Sequence, residues 1–324
     1  MSATLRPEEF DAVYDRWQAL MPDSAVDNVF VAPHIQRIWW RRFGSGFDLH
    51  MLSASDGSDT FGFAPLMAGN GTLRFIGGDD FFDYHDFPVR RGSEPQFFGL
   101  LCDYLADLDW DTVELSSVPG GSPTLEYLPA AAKARGMKVE MTVGEVTPVA
   151  QLPASWDEYV SGLSKKARHE LRRKLRRLEN ADRSRQYLCG DDEIAGCMEQ
   201  FFRLMRSSSP DKDAFLNPER IGFFQDLAAE LSERNEFRLY FLDYEGSPVA
   251  SCICIDYGDS YLLYNSGYDP EFSALSVGLL NKALSIRDAI EQGKRSFNFL
   301  KGNERYKYDL GGLDRGVRNV HLTR

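Results

Sequence analysis

The chain passes twice through the same order of predicted elements, with helices first, then an antiparallel meander, then a helix and a strand. In the second round, Glu245–Pro248 and Gly258–Asp259 are turns short enough to join neighbouring strands as hairpins. A helix at 276–292 and a strand at 295–300 follow these hairpins. This order predicts an α/β (α+β) fold with a mixed, largely antiparallel sheet flanked by helices, and it excludes a doubly wound parallel sheet.

The repetition predicts two similar folds in tandem. The stretch "FGFAPLMAGNGTLRFIGG" in the first round corresponds in pattern, not in residue identity, to "PVASCICIDYGDSYLLYNSGY" in the second. A length of 324 residues is enough for two ordinary domains. We therefore predict an N-terminal domain over residues 1–152 and a C-terminal domain over residues 153–324.

The charge of the chain is unevenly distributed. Its net charge is −12, whereas residues 165–177 contain eight Lys or Arg and one Glu, a local net charge of +7, so the remainder carries −19 (−12 minus +7). An amphipathic basic helix is predicted at 164–180, with its cations either solvated or docking one anionic ligand. An acidic chain with a single basic helix is not a general DNA binder.

Composition excludes several other classes. No window approaches the ~18–20 apolar residues of a membrane span, and the charged start predicts neither a signal nor a transit sequence. The five cysteines are scattered and odd in number, which argues against a disulfide framework and favours the cytoplasm. No Cys and His cluster has zinc spacing, so no metal is expected. Nucleophile-elbow, P-loop, dinucleotide and zinc-protease motifs are also missing from the sequence.

One strand–loop–helix junction has the features of an anion site. An aromatic strand ends near Gly267, and Ser276, Val277 and Gly278 open a helix with one apolar face. Free N–H groups and the positive end of the helix dipole favour a phosphate there, and Gly278 allows it to approach the backbone. An ordinary helix packed on a sheet remains the alternative.

A second stretch, "GGDDFFDYHDFPV" (77–89), places carboxylates among aromatic rings. Asp83 and Asp86 can recognise an amine or a sugar, or act as a general base with a raised pKa. An acidic loop with solvated carboxylates is the alternative. His85 alone indicates no catalyst.

Five stretches, taken in order, carry a resemblance to a known family. They are "FGFAPLM" with "LRFIGG", "DYHDF", "LSKKARHELRRKLRRLE", "YNSGYDPEFSALSVGLL" and "FNFLKGNERYKYDLGG". Together they resemble the CelD-like branch of GNAT acyltransferases, which is related to the Fem peptidoglycan aminoacyltransferases. The resemblance implies two GNAT folds in one chain, with the active groove in the second and acceptor binding shared between them.

The resemblance also implies roles for individual residues. The donor, acetyl-CoA or another acyl-CoA, would be bound by Asn265, Gly267, Tyr268, Ser276, Val277, Gly278 and Leu279. Tyr306 or Tyr308 would protonate the leaving thiolate, Lys307 would stabilise negative charge, and Asp83 or Asp86 would deprotonate the acceptor. The residues expected to contact the acceptor are Tyr84, His85 and Glu304.

The sequence departs from the family at two positions and in the length of its helices. Asn298 and Asn303 stand where the family often has acids, and the helices at 155–180 are too short for the helical arm of Fem ligases. We therefore expect transfer of an acyl group from CoA to an amine or hydroxyl of a small-molecule or saccharide acceptor. The alternatives are aminoacyl transfer from tRNA in cell-envelope synthesis and a non-catalytic scaffold in polysaccharide production.

Overall fold

The computed structural model describes residues 3–179, 184–190 and 193–324. The chain divides into two compact units, one formed by residues 1–145 with 315–324 and the other by residues 146–314. The sequence placed the junction at 152/153 and assigned the C-terminal strand to the second half. Whether the two halves are independent domains stays a prediction.

The first unit contains a mixed sheet with strand order β1-β2-β3-β4-β5-β12. Its strands are β1 (Thr4–Pro7), β2 (Asp48–Asp56), β3 (Asp59–Gly69), β4 (Thr72–Phe75), β5 (Thr112–Pro119), the first part of β6 (Lys138–Gln151) and most of β12 (Leu313–Thr323). Its helices are α1 (Phe10–Leu20), α2 (Pro33–Phe43), α3 (Glu94–Asp107) and α4 (Pro123–Lys133). Only β4 and β5 pair in parallel, and α3 connects them.

The parallel pair in the first unit is short, and a loop continues beyond it. β4 pairs with β5 only from Thr72 to Arg74. Beyond that point, the loop 77–89 packs against the sheet, and the His85 N–H donates a 3.1 Å hydrogen bond to the Ser117 carbonyl. Phe81, Phe82 and Phe87 of this loop are buried. The loop therefore contributes side chains to the core of this unit.

The second unit repeats this arrangement, with strand order β6-β11-β10-β9-β8-β7. Its further strands are β7 (Ser184–Leu188), β8 (Phe237–Tyr244), β9 (Ser247–Tyr257), β10 (Ser260–Tyr268) and β11 (Ser296–Asn298). Its helices are α5 (Trp156–Gly162), α6 (Lys165–Glu179), α7 (Ile194–Ser208), α8 (Pro210–Phe215), α9 (Pro218–Glu233), α10 (Val277–Glu291) and α11 (Arg305–Asp309). β10 and β11 form its parallel pair, and α10 connects them.

Amphipathic helices close the core of the second unit. α6 buries Ala167, Leu171 and Leu178, and α10 buries Leu280 and Ile286 among other residues. These side chains belong to one apolar cluster with residues of β9, β10 and β11. The predicted basic helix is thus confirmed for Lys165–Glu179, and residue 180 lies outside the described residues.

The predicted fold class is confirmed, because each unit has an antiparallel meander, a crossover helix and one parallel strand pair. Three short elements were not predicted: β1, α8 and α11. Residues 305–309 form the short helix α11. Four- to six-residue elements carry too little periodicity to be read from sequence.

One disulfide is present, although the scattered cysteines argued against a disulfide framework. Cys189 and Cys197 form a disulfide with a Cα–Cα distance of 6.4 Å. The pairing arises because the end of β7 and the first turn of α7 lie close together in space, so two scattered cysteines become neighbours. Cys102, Cys252 and Cys254 are buried free thiols.

None of the helices in the described part of the chain has the length and apolar content of a membrane-spanning segment. Likewise, residues 3–179, 184–190 and 193–324 contain no group of three or more His, Cys, Asp or Glu arranged to hold a metal ion.

Candidate functional site

The parallel strands β10 and β11 separate after three residue pairs. Pairing runs from Ser260–Leu262 of β10 to Ser296–Asn298 of β11. The chain then follows β6, since Phe299 N–H donates to Pro148 O at 2.9 Å and Gly302 N–H to Val146 O at 3.0 Å. Residues 263–268 therefore face no strand on the β11 side within the described residues. We call this stretch the open edge of β10.

Three predicted donor-binding residues, Asn265, Gly267 and Tyr268, lie on the open edge. A β-bulge between Leu263 and Asn265 shifts the register of β10 against β9, and such bulges redirect backbone groups. The Asn265 side chain accepts a 2.8 Å hydrogen bond from Ser266 N–H. Gly267 packs on α7 so closely that a Cβ atom there would lie 2.3 Å from the Met205 nitrogen. The close packing gives Gly267 a structural reason to be glycine.

The remaining predicted donor-binding residues, 276–279, form the start of α10. Ser276 has a φ of +60° and its carbonyl accepts the first helical hydrogen bond, from Leu280 N–H at 3.0 Å. The N–H groups of Val277, Gly278 and Leu279 precede that bond, and no side chain caps them. The ring of Tyr268 packs beside Gly278. The helix start thus presents backbone donors, as the sequence predicted.

A cavity of about 270 Å³ adjoins this helix start. Leu279 contributes to its lining, together with residues of α6, α11 and the following turn. The charged side chains of the lining are Lys166, Glu170, Lys174, Arg305 and Asp309. Three cations beside a helix N-terminus make this cavity suited to phosphate groups.

Lys307, predicted to stabilise negative charge, is buried and holds the loop that precedes it. Its ammonium donates to the carbonyls of Leu300 (3.1 Å), Lys301 and Gly302 (3.3 Å). The Glu304 carboxylate lies 3.0 Å from the same ammonium. Leu300 has a φ of +57°, a conformation that needs such support.

α11 separates the two predicted tyrosines. Tyr306 packs against the apolar core, and burial raises the pKa of its phenol. Tyr308 is exposed and donates a 2.8 Å hydrogen bond to Asp314, which raises the pKa of Tyr308. Both phenols are protonated at neutral pH, so each can only donate a proton.

Two lysines near Tyr306 were not predicted from sequence. The Lys282 ammonium lies 4.9 Å from the centre of the Tyr306 ring and donates to Gly278 O at 3.2 Å. The Lys212 ammonium, from α8, donates to Ser266 O and lies 3.4 Å from Asn265 Oδ1. We call Lys212, Lys282 and Lys307, with Glu304, the lysine cluster.

A sequence signal existed for only one of these lysines. Lys282 interrupts the apolar helix face predicted for α10, and a buried lysine on such a face is unusual. Lys212 lies in "SPDKDAF", where no element had been predicted. Only the return of the chain after α7 brings it to β10.

In the first unit, the residues predicted to contact the acceptor are mostly inside the core. Tyr84 and His85 are 8% and 2% exposed. The His85 ring stacks on Phe75 with centroids 5.6 Å apart, and Tyr84 lies 6.2 Å from Phe30. Asp83 is half-buried. Their roles toward an acceptor stay predictions.

Asp86 is fully buried beside the start of α4. Its Oδ1 accepts hydrogen bonds from Phe87 N–H at 2.9 Å and from the Thr124 hydroxyl at 2.5 Å. Burial raises the pKa of Asp86 from 3.8 to about 6, and the Ser122 and Thr124 hydroxyls oppose that rise only in part. A carboxyl with a pKa near neutrality has the acidity expected of a general base.

Asp86 also predicts a dependence of stability on pH. Because its pKa is higher in the folded state, the folded chain retains the proton longer, so stability falls as pH rises through about 6. Relative to Asp86→Asn, the wild type should lose about 1 kcal/mol of unfolding free energy between about pH 5 and pH 7. Urea titrations at both pH values measure this difference. The exposed Asp107, changed to Asn, is the control, and an equal difference in both variants would contradict the assignment.

A comparison with known protein families finds a match within the second unit. Residues 165–308 match the family model described as an acetyltransferase (GNAT) domain. No curated protein sequence matches the chain. The matched range contains the open edge, the start of α10 and the lysine cluster.

Similar solved structures extend the likeness to nearly the whole chain. The structure of FemX has a TM-score of 0.69 at 12% identity and covers 99% of this chain and 97% of its own. The structure of L-PGS from Bacillus licheniformis has a TM-score of 0.58 at 12% sequence identity. The match covers 94% of this chain and 90% of that one. A tandem GNAT protein from the clavulanic acid biosynthesis pathway has 0.53 at 12%, covering 98% of both chains. The fold is therefore that of tandem GNAT proteins.

Proposed function

We propose, from the GNAT-type domain that residues 165–308 match, that the protein transfers an acyl group from a CoA thioester to an amine. The observation that supports this most is the open edge of β10 beside the start of α10. An extended pantetheine arm can run along an unpaired strand edge, while the phosphates meet the helix start. A hydroxyl acceptor would fit the same geometry.

The cavity beside Leu279 fits the phosphate end of CoA. Lys166, Lys174 and Arg305 supply positive charge, and the N–H groups of α10 supply donors. The same chemistry would fit the phosphates of an RNA. The charges of the cavity alone therefore do not distinguish a CoA donor from an RNA donor.

In this mechanism, the acceptor nitrogen attacks the thioester carbonyl carbon and forms a C–N bond. Backbone N–H groups near Asn265–Gly267 would stabilise the oxyanion. The C–S bond then breaks, the thiolate takes a proton from Tyr306 or Tyr308, and the proton lost by the amine passes to water. Lys307 would act by holding residues 300–302 and Glu304 in place, in addition to its proposed electrostatic role.

Calorimetric titration with acetyl-CoA tests this proposal, with Leu279→Glu and Leu279→Gln as a matched pair. Glutamate in the first turn is compatible with the helix dipole, yet it places a negative charge where phosphates would bind. We expect Leu279→Glu to weaken acetyl-CoA binding roughly tenfold, and Leu279→Gln to stay within about twofold of wild type.

Failure to bind millimolar acetyl-CoA would rule out the CoA donor. Aminoacyl-tRNA is then the second candidate, because α6 exposes Lys165, Lys166 and Arg172. Binding of tRNA that falls steeply with added salt would support that candidate, whereas a flat salt dependence would count against it.

A further inference from the structure

Lys212 places an ammonium group at the open edge of β10. It donates to the Ser266 carbonyl and lies 3.4 Å from Asn265 Oδ1. Both partners are neutral oxygens of the strand along which the acyl donor is proposed to lie. The charge therefore stands next to the position proposed for the reacting carbonyl.

In the part of the chain that the structure describes, neither Lys212 nor Lys282 has a carboxylate partner. Among the described residues, no Asp or Glu oxygen lies within ion-pair distance of either ammonium. Glu304 is the acid whose charge acts on both, but its carboxylate contacts Lys307 at 3.0 Å. The other titratable groups acting on Lys282 are the fully buried thiols of Cys252 and Cys254 and the ammonium of Lys307, which repels it.

This arrangement is unfavourable for the protein alone. Burial, and then repulsion from Lys282, lowers the pKa of Lys212 to about 8. Burial also lowers the pKa of Lys282, which is 7% exposed. Unpaired ammonium groups in such surroundings cost free energy, and a bound anion removes that cost. A lysine whose pKa is strongly lowered by burial and by a charged neighbour is a candidate for a ligand site.

We infer that Lys212, supported by Lys282, forms a subsite for a carboxylate of the substrate, next to the acyl carbon. The inference rests on the proposed acyl transfer and specifies its substrate class. A carboxylate is favoured over a phosphate because the cavity at Leu279 already accounts for the phosphates of the donor. The carboxylate belongs either to a dicarboxylic acyl group on the donor or to an amino-acid acceptor.

Measurements of donor binding test whether the carboxylate belongs to the acyl group of the donor. Succinyl-CoA and butyryl-CoA have acyl chains of equal length, and only the first carries a carboxylate. If the donor supplies it, wild type should bind succinyl-CoA roughly tenfold or more tightly than butyryl-CoA in calorimetry. Lys212→Met keeps the length of the side chain without its charge and should reduce that ratio to about one. The exposed Lys138, changed to Met, should preserve it.

Measurements of acceptor binding test whether the carboxylate belongs to an amino-acid acceptor. The protein saturated with CoA is titrated with L-alanine and with ethylamine, which differ by the carboxylate. If the acceptor supplies it, alanine should bind roughly tenfold or more tightly, and Lys212→Met should remove the preference while Lys138→Met retains it.

A direct readout uses protein labelled with carbon-13 at lysine Cε, the Lys212 signal being identified by its loss in Lys212→Met. The pKa of Lys212 should rise when the preferred carboxylate ligand, or free succinate, is added. Equal binding of both members of each pair, or a preference that survives in Lys212→Met, overturns the inference. If no thioester binds, the proposed acyl transfer from CoA is wrong. The change in the pKa of Lys212 on adding succinate then still decides for or against the carboxylate subsite.

Discussion

Replacing Lys307 by methionine should lower the free energy of unfolding by about 4 kcal/mol. The ammonium is 2% exposed and donates to three successive carbonyls, those of residues 300–302. Methionine fills similar space but leaves these acceptors without a donor, and it removes the partner of Glu304. The positive φ of Leu300 would then lose its main support.

Urea unfolding followed by tryptophan fluorescence measures this loss. Arg305→Met is the matched control, because Arg305 lies in the same segment and forms only an exposed, 3.6 Å ion pair with Asp309. That variant should stay within about 0.5 kcal/mol of wild type. If Lys307→Met instead keeps wild-type stability but abolishes transfer, Lys307 acts on the reacting groups and not through its loop.

Replacing Gly267 by alanine should cost about 3 kcal/mol or more of unfolding free energy. Its added Cβ would lie 2.3 Å from the Met205 nitrogen and 2.5 Å from the Leu204 carbonyl carbon. Both are backbone atoms of α7, so no side-chain rotation relieves the contact. Either α7 or β10 must move, and the open edge of β10 moves with it.

A glycine in α7 itself provides the control. Gly196 is exposed, and an added Cβ would meet no atom within 4 Å. Alanine there should stabilise the chain by up to about 1 kcal/mol through helix propensity. Thermal and urea unfolding of both variants make the comparison. Equal stability of Gly267→Ala and wild type would show that the packing of α7 on β10 is looser than described.

Gly267 and Lys307 each affect both the stability of the chain and the geometry of the proposed donor site. Gly267 sets how closely α7 approaches the strand, and the α8 helix that follows α7 carries Lys212. Lys307 fixes the loop after β11 and contacts Glu304. A partial loss of stability at either position should therefore be accompanied by altered donor binding, since the same contacts support the open edge.

Part of this architecture could be predicted from the sequence. The period-two strands, the hairpin turns and the long amphipathic helices have strong local signals, so the meander, α6 and α10 were predicted close to their observed bounds. The start of α10 with its free N–H groups was predicted for the same reason, because N-terminal helix donors follow from the helix itself. The roles of the predicted site residues remain to be tested by the variants above.

The sequence by itself determined the fold class, the repeated order of elements and the helix start that can bind phosphate, because each depends on neighbours close along the chain. Only the tertiary structure decided which charged side chains lie close together. Lys212, Lys282 and Glu304 come from three separate segments, and their shared surroundings depend on how α8, α10 and the loop after β11 pack around β10. The disulfide between Cys189 and Cys197 and the burial of Asp86 were decided in the same way. Burial and Coulomb energies depend on distance in space, which residue spacing does not encode.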